Sequence, residues 1–354
     1  MNRLTAAGAA LLAVATLAAC GSSDNSSGSG ASAAGSTDAS SGSSDGASGS
    51  SGIRVAYVSP TGAQIGQQQI NMGLTRAAKE ANWSSSVIDS ALSPDRQVSN
   101  VDTLINEKVS AFASWTLDPG ATTGAYTRAQ SAGIPVIGVN STGDGLAGTV
   151  WWQVDVCKPG YPFDQQAQYI ARARPGASVI VMGGPPVPSI QAYVRCFTTA
   201  ATRAGLRVIN ETDNTRDDSA SAAQLASDLL TKNPDVDVFW AYNDATALGI
   251  SSAILNNGKS VSDGTSDGIM DFGVNGDPDA IQAVREGRLT GTWDTDSVGT
   301  GWAMALGMRE AMARRGQRIP DLVVRSTLWT RANIGQYVDP DRRDYTFDTI
   351  PLVR

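Results

Sequence analysis

The chain has 354 residues, 41% hydrophobic and 17% charged, with 37 glycines and three cysteines, which suits two medium globular domains and excludes a disulfide mini-protein or a fully disordered chain. Lys plus Arg total 27 against 34 Asp plus Glu, a formal charge of −7, so the excess of cations that a phosphate backbone demands is missing and nucleic acid is not expected as a partner. There is no histidine, which removes Ser-His and Cys-His nucleophile pairs, the HExxH zinc site and any imidazole general base.

Residues 1–20 read MNRLTAAGAALLAVATLAAC: one early cation, Arg3, then an uncharged apolar stretch from Leu4 to Ala19 that is short and Ala-rich for a membrane span. Residues 1–19 are therefore expected to be a removable export signal. Its end, Leu17-Ala18-Ala19-Cys20, resembles the lipobox of bacterial lipoproteins, which implies that Cys20 becomes the lipidated first residue of the mature chain. The alternative is an ordinary signal peptide with a chance cysteine. From Gly21 to Gly52 every residue is Gly, Ser, Ala, Asp, Asn or Thr, with 8 Gly and 14 Ser among the 32, so residues 20–52 read as a lipidated cysteine and a linker without a core. A Gly/Ser coil of this length spans about 30 Å end to end, enough to hold a domain just off a membrane. The expected location is extracytoplasmic, lipid-anchored to the cell membrane, with membrane contact through the anchor only. Gly42-Ser43-Ser44-Asp45-Gly46 imitates a nucleophile elbow, but it lacks the flanking strand and helix and the chain has no histidine partner.

From Ile53 onward, short β-rich runs alternate with helical patterns, as parallel βαβ units require. IRVAYV is followed by a helix near 66–81, SVID by one near 94–107, VSAFASW by one near 120–132, and then IPVIGV. The second helix places Val98, Val101, Leu104 and Ile105 on one face, and Pro94 opens it where a missing N–H is harmless. The pattern resumes with ASVIVMG and a helix around 190–204, then LRVIN and a helix on which Ala222, Leu225, Ala226, Leu229 and Leu230 share a face. VDVFWAY precedes a helix from about Asp244, GIMDFGV a helix over 281–286, and LTGTW a helix over 297–315, before a last LVVRSTLW run. Some 300 residues of this grammar exceed one sheet, so two α/β lobes are expected.

The stretch from Gly143 to Pro162 breaks the rhythm and reads as the first crossover between lobes. In open parallel sheets ligands sit beyond the carboxyl ends of the strands, and here polar or aromatic residues gather at those ends: Trp115, Asn140-Ser141, Asn243-Asp244 and Asn275.

Three blocks carry a specific likeness. Ala241-Tyr242-Asn243-Asp244-Ala245-Thr246-Ala247-Leu248-Gly249 is a strand-end Asn-Asp followed by a small-residue helix. Gly273-Val274-Asn275-Gly276-Asp277-Pro278-Asp279 leads through Gly287-Arg288-Leu289-Thr290-Gly291-Thr292 to a following strand, and Ala132-Gly133-Ile134-Pro135-Val136-Ile137 precedes Asn140. In these blocks residues 53 to about 330 resemble the type I periplasmic binding proteins, most closely the ribose-like sugar-binding subunits of bacterial ABC importers. The resemblance implies two Rossmann-like parallel-sheet lobes joined by a three-strand hinge, with crossings near 145–155, 293–298 and 325–328. It divides the chain into an N-terminal lobe, 53–150 plus 297–325, and a C-terminal lobe, 151–296 plus 326–354. It further implies a sugar or polyol bound by hinge closure, an ABC permease and its ATPase as partners, no cofactor, no metal and no catalysis. Its ligand contacts map onto Gln64, Trp115, Asn140, Trp152, Asn243, Asn275, Asp294 and Asp296. Planar carboxylate and carboxamide groups suit vicinal hydroxyls, and an aromatic ring suits the C–H face of a sugar. Asn275 stands where many members have Asp, the pair Asn140-Ser141 stands where they often carry Asp-Arg, and the paired phenylalanines common in ribose binders are missing from the first loop.

Several of these residues have a second reading. Trp151 and Trp152 point to opposite sides if extended, so at most one faces a ligand; Trp240 and Trp293 are either aromatic platforms or core. Asn243 is either a ligand contact or the cap of the helix that follows it, and Asp294 and Asp296 alternate so that one is exposed. With Cys20 used by lipid in an oxidising compartment, Cys157 and Cys196 are expected to pair, the alternative being two buried thiols. The same fold also serves signalling receptors, and an enzyme of another class, a surface glycosidase, would need an acid pair such as Asp294 with Asp244.

Overall fold

The computed structural model describes residues 52–353; the expected export segment, Cys20 and nearly all of the Gly/Ser linker lie outside the described residues. Within them the chain alternates strand and helix. The first half runs β1 (Arg54–Ser59), α1 (Ile65–Glu80), β2 (Ser84–Asp89), α2 (Pro94–Asn106), β3 (Ala111–Ser114), α3 (Pro119–Ser131), β4 (Val136–Val139) and β5 (Leu146–Trp152). After a 3-10 turn, Gln153–Asp155, it continues through α4 (Pro162–Ala173), β6 (Ser178–Gly183), α5 (Pro188–Arg203), β7 (Arg207–Asp213), α6 (Ser219–Lys232), β8 (Val238–Ala241), α7 (Asp244–Asn256), β9 (Met270–Asn275), α8 (Pro278–Glu286) and β10 (Gly291–Asp294). Then come α9 (Ser297–Ala313), β11 (Leu322–Val324) and β12 (Thr327–Thr330).

Two six-stranded sheets result, ordered β11-β5-β4-β3-β1-β2 and β12-β10-β9-β8-β6-β7. All pairings are parallel except β10 with β12. The central strands are apolar on both faces and fully buried, as strands between two helix layers must be, whereas edge strand β7 alternates exposed and half-buried residues. The chain passes between the sheets three times: after β5, between β10 and α9, and between β11 and β12. Two elements had no clear sequence signal. Strand β5 is hidden by Gly145 and Gly148 in what reads as a crossover, and α4 follows Lys158-Pro159-Gly160, whose turn character masks the helix start at Pro162.

Helix ends follow capping chemistry. Ser93 accepts from the Arg96 amide at 3.3 Å with Pro94 behind it, and Asp118 accepts from the Gly120 amide at 2.7 Å with Pro119 behind it. Helix α9 returns from the second sheet to pack on α1 in the first lobe. There the two backbones touch: a Cβ built on Gly73 would lie 2.1 Å from the Val298 carbonyl oxygen, and one on Gly301 2.1 Å from the Ile70 carbonyl oxygen. Only glycine permits that approach. Cys157 and Cys196 are joined by a disulfide, with 5.5 Å between Cα atoms, that ties the segment leaving β5 to helix α5.

Two outcomes follow from this packing. Gly73→Ala or Gly301→Ala forces the helices apart and should lower unfolding free energy in urea by about 1–3 kcal/mol, the usual cost of overpacking; an unchanged midpoint would mean that the helices separate freely. Serine at both Cys157 and Cys196 should cost about 2–4 kcal/mol in the same assay, the range for removing a cross-link that closes a loop of this length.

Candidate functional site

The strand order places the site. In each sheet the order reverses where the first strand of that lobe lies between its second and third, at β1/β3 in one lobe and β6/β8 in the other, so the loops leaving those strands diverge and open a crevice. The two crevices face one another across a shared cavity of about 50 Å³. From the first lobe, the β1–α1 loop supplies Thr61 and Gln64, the first turn of α1 supplies Gln67, the end of β3 supplies Trp115, and the end of β5 supplies Trp152. From the second, the loop and first turns of α5 supply Val187, Ile190 and Tyr193, the β7–α6 loop Asp217, the end of β8 Tyr242 and Asn243, and the end of β9 Asn275.

Each wall is fixed from behind. The Tyr57 hydroxyl, buried in the first sheet, donates to Gln67 Oε1 at 2.7 Å and orients that amide. Trp115 and Trp152 meet edge to face with centroids 4.9 Å apart, and Trp152 Nε1 donates to Thr300 Oγ1 at 3.0 Å on α9. On the far side the Tyr193 hydroxyl donates to the Tyr242 carbonyl at 2.8 Å. Asn243 takes the cap role that the sequence offered, its Oδ1 accepting from the Thr246 amide of α7 at 2.9 Å, while its Nδ2 donates to Asp217 at 2.8 Å on the cavity wall. Asp217 also accepts from the Tyr242 hydroxyl and, across the cleft, from Gln64 Nε2. A second bond crosses between lobes, Trp115 Nε1 to Ser189 Oγ at 3.0 Å.

Five of the eight expected ligand contacts thus line one cavity: Gln64, Trp115, Trp152, Asn243 and Asn275. Asn140 does not. It is 2% exposed, its left-handed backbone (φ 44°) turns it toward β5, and its Oδ1 accepts from the Trp152 amide at 2.7 Å, so it braces the wall from behind. Asp294 and Asp296 do not line it either. The buried Arg343 guanidinium holds Asp294 with both terminal nitrogens and lies 3.3 Å from Asp296, while Trp329 Nε1 donates to Asp294 at 3.0 Å and the Tyr345 hydroxyl to Asp296 at 2.6 Å. Neither aspartate is therefore the exposed one of an alternating pair. Asp244 is fully buried, bonded by Thr292 Oγ1 and the Asp277 amide, so the acid pair a glycosidase would need is not presented to the cavity. Trp240 and Trp293 are core residues whose Nε1 atoms share Gln166 Oε1, and Trp151 points away to Asp321.

The residues that sequence reasoning passed over are Asp217, Tyr242, Tyr193 and Gln67. Tyr242 stands beside Asn243 in the most specific block. Asp217 lies just past the carboxyl end of β7, so the strand-end rule that singled out Asn243 and Asn275 points to its loop as well.

Burial raises a group of carboxyls behind the second lobe's wall. Asp277, beside Asn275, is pushed up to about 7 by burial; Asp217 is raised by burial, and Asp244 by burial and then by the charge of Asp277. Raised well above their ordinary value of 3.8, Asp277 and Asp244 hold protons in the folded state that the unfolded chain has released. Their contribution to stability is complete below the unfolded value and lost as pH rises through about 7. The melting temperature should therefore fall from about pH 5 to about pH 8, with a shallower slope in Asp277→Asn; a rise over that window would contradict protonated burial.

Residues 55–316 match the model of the periplasmic binding protein domain. Among curated proteins, the ribose import binding protein RbsB of Bacillus subtilis (strain 168) is 25% identical over 225 residues, 63% of this chain and 70% of that protein. RbsB of Escherichia coli (strain K12) is 27% identical over 224 residues, 62% of this chain and 71% of that protein. Among solved structures, an ABC transporter periplasmic solute binding protein from Actinobacillus succinogenes 130z with bound D-allose superposes with a TM-score of 0.71 at 20% identity, covering 80% of this chain and 100% of that one. A solute binding protein from Burkholderia graminis C4D1M in complex with D-arabinose gives 0.72 at 16% identity over 81% and 98%. With the matched segment covering all but the last strand of each sheet and every residue that lines the cavity, the chain belongs to the periplasmic binding protein domain family.

Proposed function

We propose that the chain is the solute-binding subunit of an ABC importer, taking a sugar or polyol between its two lobes and closing on it by rotation at the three crossings. The observation that carries this reading is the cavity lining. Both lobes contribute carboxamides, Gln64 and Gln67 from one and Asn243 and Asn275 from the other, around the rings of Trp115 and Trp152. A polyhydroxylated ligand with apolar C–H faces needs that mixture, and a ligand bonded by both lobes stabilises their closed arrangement. The names of the curated relatives, which bind ribose, and the allose and arabinose held by similar structures support the same class. No helix among the described residues is long and apolar enough to cross a membrane.

In this reading the lobes are 53–150 with 297–325, and 151–296 with 326–354. The closed pair of lobes presents helices from both to a permease served by an ATPase. Residues 1–19 direct export and Cys20 carries the lipid that holds the domain at the outer face of the cell membrane. A glycosidase needs a carboxyl placed to protonate a glycosidic oxygen, and the cavity offers no carboxyl pair.

A thermal-shift screen against pentoses, hexoses, polyols and amino acids tests the proposal. A ligand at 100 times its Kd adds about 2.7 kcal/mol to stability, and that shift should disappear in Asn275→Ala and Gln64→Ala. A response confined to amino acids or other ligands without vicinal hydroxyls would leave the fold intact and overturn the ligand class.

A further inference from the structure

Among the described residues lining the interlobe cavity, Asp217 is the one that bears a charge; no lysine or arginine reaches the cavity wall. Its three hydrogen bonds all come from neutral donors: the Tyr242 hydroxyl, Asn243 Nδ2 and Gln64 Nε2. The neighbouring cation, Arg216, has a side chain 79% exposed and pairs with Asp218 at 3.4 Å, outside the cavity.

A carboxylate drawn out of water with hydrogen bonds but no counter-charge keeps most of its desolvation cost, and a cation placed against it recovers much of that cost. Of the roughly four lone-pair directions on a carboxylate, the three neutral donors occupy three, so one remains for a further donor. The left-handed backbone at Asp217, φ 58°, belongs to a conformation that Asp tolerates and that holds the side chain in a tight turn. The aromatic walls, Trp115, Trp152 and Tyr242, add electron-rich faces that attract ammonium groups.

We propose that the preferred ligand is an amine-bearing polyol, an amino sugar or an aminodeoxy alditol, whose protonated amine pairs with Asp217 while its hydroxyls meet Gln64, Asn243 and Asn275. This rests on the solute-binding reading above and sharpens it from polyols in general to cationic ones. The same charge excludes carboxylated and phosphorylated sugars, for which the cavity has no cation.

Calorimetry on the full chain with matched pairs tests this: D-glucosamine against D-glucose, D-galactosamine against D-galactose, and D-glucamine against D-glucitol, with N-acetyl-D-glucosamine and D-glucuronate as neutral and anionic controls. At about pH 6.5, where a sugar amine is protonated, at least one amine should bind tenfold or more tightly than its alcohol. That advantage should shrink as salt rises and vanish in Asp217→Asn. The matched pairs compare ligands on the same wild-type protein, so the result does not depend on the variant folding. Neutral sugars binding as tightly as their amines would overturn the proposal and leave the solute-binding reading standing. Binding of none of these compounds would overturn both.

Discussion

The backbone contact at Gly73 and Gly301 is the constraint on which the rest of the molecule depends. Helix α9 is chemically continuous with β10 of the second lobe, yet it packs on α1 of the first at a separation that leaves no room for a methyl group. That contact holds α1 in place, and the start of α1 carries Gln64 and Gln67 into the cavity. It also sets the far wall of the first lobe, because Thr300, one residue before Gly301, anchors the Trp152 indole. A single close approach between helices therefore positions amide groups at the start of α1 and an aromatic ring at the end of β5.

Charge follows a complementary plan. Where the chain crosses between sheets at β10 and α9, Asp294 and Asp296 are neutralised by Arg343, a residue nearly fifty positions later in sequence. The segment that delivers Arg343 touches both lobes: Arg76 on α1 donates to the carbonyls of Asp341 and Arg343 at 2.9 Å, and the Tyr337 hydroxyl reaches the Gly276 carbonyl. The hinge aspartates are compensated within the protein, whereas the aspartate in the cavity is not. Three carboxylates of one chain thus meet two different fates according to whether an arginine is folded onto them.

Much of this was legible in the sequence, for identifiable reasons. Helix α2, announced by Ser93, by Pro94 at its first turn and by the stripe of Val101 and Leu104, is legible to within a residue. The strand-end rule located Trp115, Asn243 and Asn275 because position relative to a parallel strand is a local property. Asn140 failed as a lining residue because its backbone turns to φ 44°, and no pattern of side chains reports that angle. The pairing that holds Asp294 and Asp296 outside the cavity is not legible because their partner is remote: a carboxylate at a strand end looks the same whether or not Arg343 will cover it. Strand β5 was lost because Gly145 and Gly148 read as loop, although Gly148 sits where a Cβ would lie 2.5 Å from Ile319.

The three crossings between the sheets also constrain how such a protein can change over generations. The first sheet is built from strands within 54–152 and 322–324, and the second from strands within 178–294 and 327–330, so each lobe is assembled from separated stretches of the gene. A single recombination event cannot exchange one intact lobe for that of a relative. Half of the binding surface cannot be traded as a cassette, and new ligand preferences must arise by substitution in the strand-end loops, where Asp217 and Asn243 already sit side by side.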